Sequence, residues 1–167
     1  MNKISCLVLD VDGVLTDSHI YFTDEGVQIK AFNSKDGHGL RMLLRAGIEV
    51  VIITGRTSKA LEHRAKELGI EHVFQGAIDK KPLLLEAAQK LGINPINMAY
   101  MGDDVVDLPP MSLCGMTFAP ADAMDMVKER SDVVTTRSGG HGAVREAIEI
   151  LLKREGLFDK VMERYVE

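Results

Sequence analysis

Tryptophan is absent from this chain of 167 residues, aromatic side chains make up only 5% of it, and it holds just five prolines and two cysteines. Neither a disordered nor a fibrous bias is visible, because 46% of the residues are hydrophobic and 27% charged, the balance of an ordinary folded protein. Cys6 lies in an apolar run and Cys114 beside Gly115, so the cysteines read as buried thiols rather than a disulfide framework and fit a reducing compartment. No apolar stretch approaches the length needed to cross a membrane, and the N-terminal MNKISCLVLDVDG turns acidic before the apolar part of a secretion signal could finish. The expectation is a cytoplasmic protein without membrane association. Positive charge is also in deficit. A formal net charge of −5 argues against a general nucleic-acid binder and leaves a small molecule as the expected partner, since a local cluster of Arg and Lys can still hold a small anion. No internal repeat, low-complexity tract or linker interrupts the chain, and its length suits one domain over residues 1–167.

What is present is a regular alternation. Ile4 to Leu9 is a short apolar run ending in acids, as expected of a strand buried on both faces of a parallel sheet. HIYFT and VQIKAF flank Asp24-Glu25-Gly26 and suggest a hairpin outside the alternation. Helical patterns near 39–45, 58–68, 80–91, 104–113 and 122–130 then separate strand signals at Glu49 to Ile53, His72 to Phe74, Met98 to Met101, Met116 to Phe118 and Asp132 to Val134. The pattern predicts an α/β fold: an open, mostly parallel, Rossmann-like sheet with helices on both faces and a β-hairpin flap. From about Ala143 the chain is amphipathic and helical, interrupted at Gly156; the apolar residues beyond it can dock on the chain's own body or reach a neighbouring subunit.

Open α/β sheets place ligands at the carboxyl ends of their strands, and two acidic clusters fall there: Asp10-Val-Asp12-Gly13 and Gly102-Asp103-Asp104-Val-Val-Asp107. Asp is also common at helix caps and turns, which accounts for either cluster alone. Together they would repel one another unless a hard cation such as Mg2+ lay between them. Between the clusters, Ile52-Ile53-Thr54-Gly55-Arg56 ends a strand in a hydroxyl and backbone donors, and Lys80 opens a helix. Taken singly, Thr54 is a strand-end cap and Lys80 a surface lysine. A hydroxyl, amides, an ammonium and a metal at one sheet edge describe a phosphoryl cradle.

DVDGVLTD at 10–17, IITGR at 52–56, Lys80 and GDDVVD at 102–107 resemble, in order, the four motifs of the haloacid dehalogenase superfamily of phosphohydrolases. The resemblance implies that Asp10 attacks phosphorus, that Asp12 protonates the leaving alcohol and later activates water, and that Thr54 and Lys80 bind the transferring group. It implies Mg2+ held by Asp10, the backbone carbonyl of Asp12, and Asp103, with Asp104 and Asp107 in supporting roles. A neighbouring carboxylate is expected to help Asp12 hold its proton.

A narrower resemblance spans almost the whole chain. The hairpin, FNSKDGHGLR at 32–41, Arg64, QGAIDK at 75–80, AYMGDD at 99–104 and GGHGAVRE at 139–146 are similar to the family of 3-deoxy-D-manno-octulosonate 8-phosphate phosphatases, which serve the pathway to the inner sugar of lipopolysaccharide. This implies substrate binding by Asp12, Lys80, a loop of Asn33, Ser34, Lys35, Asp36 and Gly37, and by Arg41, Arg56 and Arg64. A guanidinium suits the carboxylate of a sugar acid. His141 departs from the family, where arginine is common. The intervals between motifs are too short for a cap domain, so the resemblance implies a capless homotetramer in which neighbours cover one another's sites. The alternatives are a phosphatase of sialic-acid-type nine-carbon sugar phosphates, against which Arg56 speaks, and a non-catalytic oligomerisation relative, against which the intact motifs speak.

Overall fold

In a computed structural model describing residues 2–166, the alternation read from the sequence is realised. The chain opens with β1 (Cys6–Leu9) and a hairpin of β2 (Tyr21–Phe22) and β3 (Gln28–Ile29), followed by α1 (Ser34–Arg45), β4 (Glu49–Ile53), α2 (Lys59–Leu68) and β5 (His72–Phe74). Next come α3 (Lys80–Leu91), β6 (Met98–Met101), α4 (Leu108–Met111), β7 (Met116–Ala119), α5 (Asp125–Lys128), β8 (Val133–Val134), α6 (Ala143–Arg154) and α7 (Phe158–Val166). Six strands form one sheet in the order β5-β4-β1-β6-β7-β8, every neighbouring pair parallel.

Period-two alternation divides the core between the faces of this sheet. Leu7, Leu9, Val50, Ile52, Ala99 and Met101 pack with α1, α2 and α6 on one side. Cys6, Val8, Val51, Ile53, Met98 and Tyr100 pack with α3, α4 and α5 on the other. The succession β1, β4, β5 runs to one edge and β6 then returns to the far side of β1. The direction of winding therefore reverses between β1 and β6, where a doubly wound sheet opens a crevice beyond its carboxyl ends.

Three boundaries differ from the expectation. Residues 33–37 are not a free loop. Asn33 caps α1, its side chain accepting from Lys35 N at 2.9 Å and Asp36 N at 3.1 Å, so the helix begins at Ser34 rather than near Gly39. Gly37 and Gly39 conceal that start because glycine is a poor helix former, yet both are buried: a side chain at Gly37 would collide with the Arg64 guanidinium, and one at Gly39 would sit tightly against Arg145 and Ile148. The segment expected as one helix over 104–113 divides into a 3-10 turn (Val105–Asp107) and α4, where Pro109 and Pro110 supply no backbone donors. The helix expected over 122–130 shrinks to α5.

The segment after Gly156 docks on the chain's own body. Leu157, Phe158, Val161 and Met162 are half-buried against the core on the α1 and α6 side. Tyr165 accepts a hydrogen bond from Arg45 at 2.9 Å and meets the His38 ring edge-on at 5.5 Å. At about 1 kcal/mol for each half-buried apolar side chain lost, truncation after Glu155 is expected to lower the stability of the chain by about 2–4 kcal/mol. Urea denaturation of full-length and truncated protein checks this; an unchanged midpoint would show that α7 adds nothing to the fold.

Candidate active site

The crevice is lined by residues that follow β1, β4 and β6 directly. Asp10 N donates to Met101 O at 3.1 Å, Thr54 N to Phe74 O at 2.9 Å and Gly102 N to Phe118 O at 3.3 Å, so each site residue begins where its strand's ladder ends. The positions are fixed by the sheet rather than by loops.

Asp10 and Lys80 are both buried, and the Lys80 ammonium lies 2.9 Å from Asp10 Oδ2 and 2.7 Å from Asp107 Oδ1. The other Asp10 oxygen accepts from Val11 N at 2.7 Å. Lys80 reaches this point because it is the first residue of α3, whose N-terminus is capped by Asp79. The surface-lysine reading of Lys80 is therefore excluded. Burial alone would lower its pKa, but attraction to Asp10 and Asp107 prevails and holds it above the ordinary lysine value.

Asp107 is the anchor of the cluster. It is fully buried; Oδ1 accepts from Lys80 and from the Tyr100 hydroxyl at 2.9 Å, and Oδ2 from Asp103 N at 3.1 Å. Sequence reasoning gave Asp107 only a supporting role and passed over Tyr100. The available signal was a tyrosine in a wholly buried strand, since such a hydroxyl needs a partner. Asp104 is a cap, its Oδ1 accepting from Val105 N at 2.7 Å.

Asp10, Asp103 and Asp107 each place a carboxylate oxygen within 4.8 Å of the others. Burial, then repulsion by Asp107, raises Asp10 to about 7 despite Lys80. Burial, then repulsion by Asp10 and Asp107, raises Asp103 to about 8. Such a set fits a hard divalent cation, which would relieve both effects. The oxygens of Asp107 meet Lys80, Tyr100 and the backbone and those of Asp10 meet Val11 N and Lys80, whereas the Asp103 carboxylate takes part in none of these contacts. Gly13 gives Asp103 its space: at φ +87° it takes a conformation that disfavours a side chain, and a Cβ there would collide with the Asp103 carboxylate.

Asp12 does not join this cluster through its side chain. Oδ1 lies 2.5 Å from Lys30 Nζ and Oδ2 3.8 Å from Arg56 Nε. The expected carboxylate neighbour is not what holds Asp12: the charged groups that its side chain pairs with are cations, and it is not one of the three carboxylates that lie within 4.8 Å of one another. Any metal contact from Asp12 must come from its main chain. Lys30 was missed because it lies on the hairpin, 18 residues away in sequence, and nothing local to Asp12 announces it.

The residues expected to bind substrate fall into two groups. Arg56 stands beside Asp12, in a cleft under the hairpin with Phe22 and Gln28. Ser34, Gly37, Arg41 and Arg64 line a separate cleft between α1 and α2. There Arg64 donates to Asn33 O at 3.3 Å and pairs with Glu67 at 2.8 Å, while Arg41 donates to Glu67 O at 2.5 Å. Lys35 is exposed in the first turn of α1. Among the described residues, no hydrogen bond or ion pair joins the two groups. Asp36 does not present itself to ligand. It is buried and accepts from Arg145 N at 2.9 Å at the start of α6, and burial raises its carboxyl above the ordinary range.

The raised carboxyls give a pH dependence. Asp10 and Asp103 bind protons more readily folded than unfolded, where the ordinary value is 3.8, so the metal-free protein loses stability as pH rises from about 4 to about 8. EDTA-treated protein is expected to melt at lower temperature near pH 8 than near pH 5, and added MgCl2 to stabilise it more at the higher pH. Scanning calorimetry checks both; equal melting at both pH values with no response to the cation would contradict the reading of the cluster.

The haloacid dehalogenase-like hydrolase family matches residues 37–115 of the chain. The 3-deoxy-D-manno-octulosonate 8-phosphate phosphatase of Escherichia coli (strain K12) is 46% identical over 158 residues, which are 95% of this chain and 84% of that protein. The crystal structure of the phosphatase of the same name from Yersinia pestis has a TM-score of 0.92 at 42% identity, covering 93% of this chain and 84% of that one. Another, from Moraxella catarrhalis in complex with a magnesium ion, a phosphate ion and a KDO molecule, has a TM-score of 0.94 at 41% identity, covering 97% and 93%. With its motifs at the carboxyl edge of the sheet and these relatives alike over nearly their full length, the chain belongs to the 3-deoxy-D-manno-octulosonate 8-phosphate phosphatase family of haloacid dehalogenase-like hydrolases.

Proposed function

We propose that the chain is a Mg2+-dependent phosphomonoesterase that hydrolyses 3-deoxy-D-manno-octulosonate 8-phosphate to the free sugar acid and phosphate through an aspartyl-phosphate on Asp10. The observation that carries this reading is the buried pairing of Asp10 with Lys80 at 2.9 Å beside Asp103, in a chain 46% identical to a phosphatase of that name. Asp10 is held by the β1 ladder and its carboxylate by Lys80 and Val11 N, which fix the nucleophile for in-line attack on phosphorus. Lys80 neutralises charge on the transferring group, and Thr54 and the amides after β4 receive its oxygens. Asp12 gives its proton to the departing sugar oxygen and then takes one from the water that cleaves the acyl-phosphate. When bound by Asp10, Asp103 and the main chain of Asp12, Mg2+ supplies positive charge that favours the ionised nucleophile and the phosphoryl oxygens.

The same proposal extends to substrate, assembly and compartment. Arg56, beside Asp12, receives the sugar-acid carboxylate. Residues 1–167 work as one domain within a homotetramer, in which Asn33, Ser34, Lys35, Gly37, Arg41 and Arg64 serve a site shared with a neighbour. Support comes from the separation of this group from Asp10 and from a hairpin that exposes Tyr21, Phe22, Val27 and Ile29. Cytoplasmic action in supplying the inner sugar of lipopolysaccharide is supported by two free thiols, of which burial pushes Cys114 up to about 12.

Asp10→Asn is expected to abolish turnover of a sugar-phosphate panel in MgCl2 while leaving the circular dichroism spectrum unchanged, and EDTA should abolish the wild-type activity. Near-normal rates in the variant would exclude the covalent route.

Arg56→Ala should cost about 1.5–3 kcal/mol in kcat/KM for the sugar-acid phosphate and much less for p-nitrophenyl phosphate, which has no carboxylate. Equal losses on both would show that Arg56 acts on the phosphoryl group or on the fold rather than on the substrate's acid.

A further inference from the structure

The ion pair between Lys30 and Asp12 is the shortest that Asp12 makes, and it joins two parts of the chain that the sequence keeps apart. Lys30 follows β3, so its place depends on the hairpin; Phe32, two residues on, packs against the core. The Lys30 side chain is 4% exposed, and its ammonium makes one hydrogen bond, to Asp12 Oδ1 at 2.5 Å. An ammonium this buried has no water to replace its single partner, so it holds on to the Asp12 oxygen even though the Asp12 side chain is itself 22% exposed. The other oxygen of Asp12 is left toward Arg56 and the crevice. The main chain of the loop around Asp12 is already constrained, with Val14, Leu15 and Thr16 N all donating to Val11 O at 2.9–3.1 Å. What the loop does not fix is the rotation of the Asp12 side chain, and Lys30 fixes that.

We infer that Lys30 is a positioning residue for proton transfer: it holds the Asp12 carboxyl so that one oxygen faces the leaving group. This rests on the proposed role of Asp12 as acid and base, and adds to it a residue delivered by the hairpin. A mere tether of the hairpin would look similar in a stability measurement, so the test reads proton transfer instead. Protonation of the departing oxygen matters greatly for an alkyl leaving group and little for p-nitrophenolate, whereas fold or phosphoryl binding matters equally for both.

The experiment compares wild type, Lys30→Met and Lys30→Arg, each checked by circular dichroism, on glycerol 3-phosphate and p-nitrophenyl phosphate, neither of which carries a carboxylate. In Lys30→Met, kcat/KM for the alkyl ester is expected to fall on the order of 100-fold, the lower range of what a positioned acid contributes, with the aryl ester little changed. Lys30→Arg, which keeps the charge, should recover much of the loss. Because Asp12 also activates water in the second step, kcat for the aryl ester should fall in Lys30→Met and p-nitrophenolate should appear as a burst. Equal losses in kcat/KM on the two esters, or no loss on either, would overturn the assignment; if Lys30→Met does not fold, Lys30→Gln takes its place in the comparison and the same two outcomes overturn it. A wild type inactive on every phosphate ester would instead refute the phosphatase reading itself.

Discussion

Three carboxylates face one ammonium in a place almost without water, and the rest of the site follows from that imbalance. Asp10, Asp103 and Asp107 crowd within 4.8 Å and, among the described residues, Lys80 is the one cation paired with them, so two negative charges stay uncompensated when all three acids ionise. Buried charge without a partner costs several kcal/mol, and the chain meets that cost by raising two carboxyl pKa values. A divalent cation carries the missing charge. The chemistry needs Asp10 ionised, so the arrangement that makes the metal-free cluster unfavourable also makes the nucleophile depend on the metal.

Within this cluster the acids are not interchangeable. Asp107 is held by Lys80, Tyr100 and backbone donors and cannot turn without breaking all of them. It acts as a fixed anion that keeps Lys80 in place, while Asp10 meets only Lys80 and Val11 N. A side chain on Gly102 would collide with Asp107, and one on Gly13 with Asp103. The two glycines thus set the distance between the acidic clusters, which no count of acidic residues would reveal.

The sheet was legible because its signals are local. The strands Glu49–Ile53, His72–Phe74 and Met98–Met101 lie where apolar runs end in polar stops, and the acids after them could be placed at one edge without any long-range information. The start of α1 was not legible, since Gly37 and Gly39 answer to Arg64 and α6 across space rather than to helix propensity. Asp36, read as a ligand on its loop, is an internal cap for α6 for the same reason. Lys30 shows the limit most clearly: its partner is 18 residues away, and a lysine just after a short strand carries no mark of being buried.

The hairpin has two chemically different sides, and this connects its exposed face to the placement of Asp12. Outward it shows Tyr21, Phe22, Val27 and Ile29, each 44–59% exposed, on a two-stranded ribbon that is weak by itself. Inward it sends Lys30 to Asp12. A ribbon paired over two residues on each strand has little intrinsic stability to hold an ammonium within hydrogen-bonding distance of Asp12. Burial of its outward face by neighbouring subunits would supply that stability, at about 25 cal/mol for each Å2 of apolar surface removed from water. In such an assembly the contact between subunits and the placement of Asp12 share one element, so whatever loosens the ribbon loosens the acid, while Asp10, fixed by the central strand, is left in place.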